Sequence, residues 1–315
     1  MSKIPPQQLQ HETPSKSPPA RTAGRELHIP VLLQSVVEHL APRPGESYLD
    51  LTAGYGGHAR AIVEKTKAAE KAVLVDRDTQ ALAHLTDLSD QGAELVHDNY
   101  AHFAEEAVGE GKQFDMILVD LGVSSPQLDR ADRGFSLKRN GPLDMRMDQA
   151  GQTKTASEIV NSLSQSELAS IIELYGEEPR GRARTIARAI IQSRPLKTTQ
   201  ELATVVLKTH RGAYQKTHPA TRTFQALRIY LNDELGQLER LLVAIPKLLT
   251  PGGRVAFISF HSLEDRLVKR FFVEQANAGF EAELDLLTKK AIRGENDDAS
   301  NPRSRSARLR VAVKK

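Results

Sequence analysis

Three short apolar runs reach an aspartate at their carboxyl ends: "SYLDL" at Asp50, "KAVLVD" at Asp76 and "FDMILVD" at Asp120. Between them the pattern alternates. A glycine loop follows the first run and "HARAIVEKT" reads as its helix, while "DTQALAHL" reads as a helix after the second. "AELVH" supplies a further strand and, much later, "GGRVAFISF" supplies a fifth. Short apolar strands separated by helices fit a parallel sheet buried on both faces, a doubly wound α/β fold. In such sheets ligands bind beyond the carboxyl ends of the strands, where Asp50, Asp76 and Asp120 all fall. Three carboxylates placed there are hard to assign to solubility alone.

The rest of the chain divides around this core. Its 315 residues suit one large domain or two modest ones. Residues 1–25 are rich in Pro, Ser, Gln and Thr and read as a disordered tail, with no apolar segment of a secretory signal. In "HIPVLLQSVVEHL", Leu33, Val36, Val37 and Leu40 share one helical face, and Pro42 and Pro44-Gly45 end that helix. More than 130 residues separate the fourth and fifth strands, too many for one crossover. Within them Thr155/Glu158, Ser164/Glu167 and Thr198/Glu201 each spell a capping box before an apolar run. The reading is a helical insertion at 136–214, flanked by the two parts of the sheet domain at 26–135 and 215–315.

Several classes are excluded by composition. No window approaches the ~18 uninterrupted apolar residues of a membrane span. There is no cysteine, hence no disulfide, thiolate metal site, iron–sulfur cluster or cysteine nucleophile. No metal ligand set is expected, and a cytoplasmic location is the default. The net charge is 43 − 40 = +3, but it is unevenly spread. From Arg180 to Arg228 there are eleven Lys/Arg against the single acid Glu201, and "NPRSRSARLRVAVKK" holds six Lys/Arg and no acid. Such blocks are the footprint of a polyanion binder, or of a solvated helix face and a charged tail.

"DLTAGYGGHA" contains G-x-G-x-x-A at Gly54, Gly56 and Ala59, one spelling of a dinucleotide fingerprint. Asp76 stands about twenty residues on, where a carboxylate accepts from ribose hydroxyls. These features suit NAD and S-adenosylmethionine alike. Gly57 and His58 directly after Gly56 suggest a wider turn than a pyrophosphate clamp needs. A carboxylate at Asp50 would repel a pyrophosphate and suit a cationic amino-acid end, a preference worth ~1 kcal/mol or more in a partly buried site.

At "VDLGVSSPQLDRADRGFSLKRNGPLDMRMD" the chain resembles the bacterial small-subunit ribosomal RNA methyltransferase H family. So do "HIPVLL", "TAGYGGHA", "VDRD", "YGEE", "IARAI", "HPATRTFQALRIYLNDEL", "GGRVAFISFHSLEDRLVKRFF" and "NPRSRSARLRV", which run from His28 to Val311. The resemblance implies a doubly wound class I methyltransferase (Rossmann-like) sheet with an inserted all-helical substrate domain. It implies S-adenosylmethionine as cofactor, and as product N4-methylcytidine in the decoding region of small-subunit RNA. Cofactor contacts are implied at Gly56, Gly57, His58, Asp76, Tyr100, Asp120 and Gln127. The family usually has Phe at the position of Tyr100, and often Gly or Arg at that of Tyr55.

Methyl transfer from a sulfonium is an in-line displacement, for which a protein supplies positioning and electrostatics. Methylation of a pyrimidine carbon normally needs a cysteine to add to the ring, so a nitrogen or oxygen target is expected. The exocyclic amine of cytosine is a poor nucleophile, and a carboxylate accepting its N–H would localise the lone pair. Asp120 is the side chain best placed for this, with Ser124, Ser125 and His261 as further candidates. Arg184 and Arg188, four apart on one helical face, are candidates for RNA backbone contacts, the target base being unpaired or flipped out. The expected partner is small-subunit ribosomal RNA or the assembled subunit, not a membrane; a homodimer is left open. The alternatives are a Rossmann-fold NAD(P)-dependent oxidoreductase and a non-catalytic ribosome-assembly factor.

Overall fold

A computed structural model describes residues 30–212 and 217–315; the N-terminal tail and the side chains of Ser125 and Pro126 lie outside the described residues. Five parallel strands form as the sequence requires: β1 (Tyr48–Asp50), β2 (Ala72–Asp76), β3 (Glu94–His97), β4 (Phe114–Asp120) and β5 (Leu249–Ser259). Three more follow: β6 (Leu284–Leu286), β7 (Ile292–Arg293) and β8 (Arg308–Lys314). The sheet order is β3-β2-β1-β4-β5-β8-β6, with β7 also on β8, and β8 runs antiparallel to its neighbours. The expected all-parallel sheet therefore acquires a mixed half.

Alternation along the strands sends side chains to two cores. On one face Leu49, Val75, Ile117, Val119 and Phe257 pack against α3 (Tyr100–Gly109) and two helices near the end of the chain. On the other, Tyr48, Leu74, Leu118 and Ile258 meet α1 (Leu33–Leu40) and α2 (Gly57–Thr66). Strand β8 explains the C-terminal basic block. Leu309 and Val311 enter the second core, while Arg308 and Arg310 reach Asp265 at 2.8 and 2.7 Å. Much of that block's charge is thus neutralised inside the fold rather than offered to a polyanion.

A third core belongs to the insertion. It joins Phe135, Leu143 and Met145 to α4 (Ala156–Ser162), α5 (Gln165–Gly176), α6 (Arg180–Gln192) and α7 (Thr199–Lys208). Phe224 and Leu227 of α8 (Thr221–Asn232) complete it. All three capping boxes form: Thr155, Ser164 and Thr198 each accept from the backbone N–H three residues on, whose Glu carboxylate returns to the cap. Each such cap is worth about 1 kcal/mol to its helix. The chain re-enters the sheet through α9 (Glu234–Leu248), and α10 (Ser262–Ala276) follows β5. No helix among the described residues is long and apolar enough to cross a membrane.

Candidate active site

The Gly loop crosses from the end of β1 to α2. Gly56 is the helix N-cap at φ 75°, a left-handed conformation that costs any residue with a Cβ roughly 1–2 kcal/mol. At Gly57 a Cβ would stand 2.3 Å from Pro30 Cγ, so only glycine lets the N-terminal segment lie on the loop. The N–H groups of the first turn of α2 have no intrahelical acceptor, and the helix start carries a partial positive charge. The loop mouth left open by Tyr55 is defined: its carbonyl accepts from Arg60, which also pairs with Asp87 at 2.6 Å, and its ring lies 4.7 Å from that of His84. Asp76 accepts the Gly54 N–H at 2.7 Å and the Asp78 N–H at 2.8 Å, one on each oxygen. Both oxygens keep a second lone pair for hydroxyl donors. Burial raises its pKa.

Asp50 departs from expectation. Its side chain turns inward, accepts from the Tyr48 hydroxyl at 2.7 Å and the Thr52 N–H at 3.1 Å, and is 1% exposed. Burial pushes its pKa up to about 7. It does not present the free charge to a cationic ligand that the sequence argument assumed; the apolar sheet around it favours its neutral form.

Asp120 is different. Its N–H is held by Thr52 Oγ1 at 2.6 Å, and its carboxylate projects at the end of β4 with the side chain 27% exposed. One oxygen, Oδ1, is buried and accepts no hydrogen bond from a described residue; the other lies 3.9 Å from His58 Nδ1. His58 donates through Nε2 to the Val31 carbonyl at 3.0 Å, which turns Nδ1 towards Asp120. Burial raises the Asp120 pKa well above the usual range, and the neighbouring Asp50 and Glu264 add to it. A buried acceptor without a donor is costly and calls for a partner, whether a ligand or an ordered water.

Tyr100 and Gln127, the remaining implied contacts, are each held by other partners. Tyr100 opens α3 and its hydroxyl donates to the Glu234 carbonyl at 3.2 Å, so the oxygen a Phe would lack is absorbed by the protein. Gln127 is buried: Nε2 donates to Asp78 at 3.1 Å and Oε1 accepts the Ser124 N–H at 3.0 Å. Its amide is engaged in holding the loop after β4, on which the Ser124 side chain stays partly exposed. Asp78 also takes Arg133 at 2.6 Å, and that guanidinium, 3% exposed, donates to the Arg146 and Met147 carbonyls at 3.2 and 2.9 Å. Burial works against the Asp78 charge, but Arg133 and Gln127 outweigh it and hold its pKa low. This node ties the loop of residues 121–147 to the end of β2. Sequence reading did not find it; the signal lay in "VDRD" and "DRADRGF", 55 residues apart.

His261 is the N-cap of α10. Its Nδ1 accepts from the Glu264 N–H at 3.4 Å, and Nε2 lies 3.1 Å from Glu264 Oε1, off the line of a hydrogen bond. Both nitrogens thus face Glu264 and not Asp120, a local packing role set by a fourth capping box. Arg228 pairs with Glu234 through two bonds of 2.8 and 2.9 Å. Burial works against the Glu264 charge, but His261 and Arg228 outweigh it and hold its pKa low. Arg228, Arg182 and Arg222 of the basic block are therefore at least partly committed to acids. Arg180, Arg184 and Arg188 are not: four residues apart on α6, they are exposed and form no ion pair with a described residue.

Comparison with known proteins places the chain in a family. The profile of the MraW methylase family matches residues 25–315. A Synechocystis protein named Ribosomal RNA small subunit methyltransferase H is 47% identical over 298 residues, covering 91% of this chain and 93% of its own. Proteins of the same name from a Cyanothece species and from Bradyrhizobium diazoefficiens are 48% and 44% identical, over 93% and 90% of this chain and 97% and 91% of theirs.

Proposed function

The chain belongs to the MraW methylase family, and from that premise we propose that it transfers a methyl group from S-adenosylmethionine to the N4 amine of one cytidine in small-subunit ribosomal RNA, in the decoding region. The relatives' shared name supports the RNA class. The absence of cysteine supports a nitrogen over a ring carbon. The observation that carries the reading is Asp120, whose buried Oδ1 has no donor at the carboxyl edge of the sheet, beside the Gly loop.

The residues present fit the cofactor. Asp76 would hold ribose hydroxyls on its free lone pairs and Tyr100 would offer a ring face to the adenine, while Gly56 and Gly57 let the loop pack against Leu85 and Pro30. S-adenosylmethionine, when bound, supplies an electrophilic methyl group on a sulfonium. Everything else is done by the chain. Asp120 accepts an N–H of the target amine, which localises its lone pair and orients it for in-line attack, and then takes the proton that the methylated nitrogen must lose. Its raised proton affinity suits the second task; the amine's own donors stabilise the charged form for the first. His58 keeps the carboxylate at the loop mouth. Arg184 and Arg188 hold backbone phosphates, which position the strand while the pocket reads the base. The helical insertion, with α8, forms the recognition unit, and the protein works in the cytoplasm where the RNA is.

Nucleoside analysis of small-subunit RNA from cells lacking the gene tests this. Loss of N4-methylcytidine is expected, and an unchanged content refutes the assignment. Calorimetric titration with S-adenosylhomocysteine and with NADH separates the enzyme from an oxidoreductase. Transfer of labelled methyl to ribosomal particles separates it from a non-catalytic assembly factor.

A further inference from the structure

A cavity of about 300 Å³ opens between the helical unit and the sheet, on the β5 side of Asp120. Its wall from the sheet is Phe260, His261 and Ser262, the residues directly after β5. Phe260 lies close to the loop after β4, since a Cβ on Gly122, two residues beyond Asp120, would stand 3.7 Å from its Cδ2. The opposite wall includes Arg222 of α8, and the rim carries Arg293, Arg305 and Arg308.

The charges do not cancel. Glu177 is taken by the Ser262 hydroxyl and by Arg266 at 2.7 Å, and Glu295 by Arg293 at 3.3 Å. Arg308 is spent on Asp265. Arg305 is exposed and forms no ion pair with a described residue, and Arg222, its side chain 55% exposed, donates to the Glu177 carbonyl at 3.3 Å and stands 3.9 Å from the Glu178 carboxylate. Arg305 therefore faces the cavity without a counter-ion, and Arg222 with a half-exposed guanidinium only loosely paired, beside an aromatic ring. The volume is at the lower end of the ~300–1,000 Å³ of small-ligand sites, enough for one nucleotide unit and too small for a duplex. Neither Arg184 nor Arg188 lines it.

We propose that this cavity binds the single-stranded RNA segment next to the target cytidine, with Arg222 and Arg305 on its phosphates and Phe260 against a base. The reading rests on the RNA methyltransferase function above. It adds a second strand-binding element, reached from the β5 side while the cofactor occupies the β1–β2 side. Guanidinium groups on phosphates and an aromatic ring on a base are the chemistry by which unpaired RNA is held.

The test uses the full chain and a ten-nucleotide single-stranded RNA containing cytidine, with binding read by fluorescence anisotropy at several salt concentrations. Arg222→Gln and Arg305→Gln should each weaken binding several-fold and reduce the salt slope by about 0.7, the loss of one phosphate contact on a single strand. Arg270→Gln, an equal charge change on the exposed face of α10, is the control and should leave both unchanged. In methyl transfer to small-subunit RNA the two cavity variants should raise KM about tenfold with kcat and S-adenosylhomocysteine affinity retained. Binding equal to the parent in both cavity variants, or an equal loss in the control, overturns the proposal. If the parent transfers no methyl to RNA while the cavity variants still lose binding selectively, the enzyme assignment fails and the cavity stands.

Discussion

Replacing Arg133 by methionine should be the most damaging single change outside the reacting groups. The guanidinium is 3% exposed and makes one charged bond to Asp78 at 2.6 Å and two to the Arg146 and Met147 carbonyls. Loss of a charged bond costs about 1.5–3 kcal/mol and of a neutral one about 1 kcal/mol, and the Asp78 carboxylate is left buried without its counter-ion. Together these give about 3–5 kcal/mol, the range seen when one partner of a buried pair is removed. The chain has no tryptophan, so urea unfolding is followed by far-UV circular dichroism, at pH 7.5. Arg133 depresses the folded-state pKa of Asp78, so its contribution is present above the unfolded-state value and disappears as pH falls through the folded one. The penalty in Arg133→Met should therefore shrink in acid, where Asp78 takes up a proton. A second substitution, Asp78→Asn, keeps an acceptor for the Gln80 N–H yet removes the stranded charge, and should recover about 2 kcal/mol. An Arg133→Met protein within 1 kcal/mol of the parent, or a double variant no better than the single, would refute the reasoning.

Other consequences follow from the same geometry. Asp120→Asn should lower kcat by about 10²–10⁴ and leave S-adenosylhomocysteine binding within a few-fold, by calorimetry. It should also raise the melting temperature at pH 8, because a folded-state pKa above the unfolded one means that stability falls as pH rises between them; an unchanged or lower melting temperature would contradict that sign. Gly57→Ala places a methyl group 2.3 Å from Pro30 Cγ and should cost about 1–3 kcal/mol and weaken cofactor binding, both read in one ligand-dependent melting series. Asp265→Asn strands Arg308 and Arg310. It should destabilise the protein at neutral pH and flatten its acid limb, since Asp265 is held low by those two arginines against burial and gives up its contribution only as pH falls through that lowered value. Arg184→Gln with Arg188→Gln should cut the salt slope of RNA binding by about 1.4 without altering cofactor affinity.

What the sequence disclosed was local. Strands β1 to β5 and the three capping boxes depend on residues within a few positions of one another and form as read, whereas of the expected face Leu33, Val36, Val37 and Leu40 only Val36 and Leu40 are fully buried, with Leu32 and Ser35 beside them. The strand "RLRVAVK" escaped because its arginines, taken as free charge, are the outward half of an alternation that only a neighbouring Asp265 makes visible. The same limit hid Arg133 on Asp78 and Arg228 on Glu234. Ion pairing is a property of the fold, and a count of charges along the chain cannot tell a spent cation from a free one. Asp50 shows the converse error: its position at a strand end was right, but facing direction is set by Tyr48 two residues back on the same side of β1.

The place of β8 bears on how the chain is made. The residues from Arg308 to Lys314 pair with β5 on one side and β6 on the other. During synthesis they arrive only after β1 to β7, and until they do β5 presents an unpaired edge with Ala256 and Ile258 next to it. An open apolar edge invites pairing with another chain. The growing polypeptide thus carries a sticky half-sheet until about its 310th residue has left the ribosome, and stalled or nicked products lacking that stretch should be the ones that aggregate.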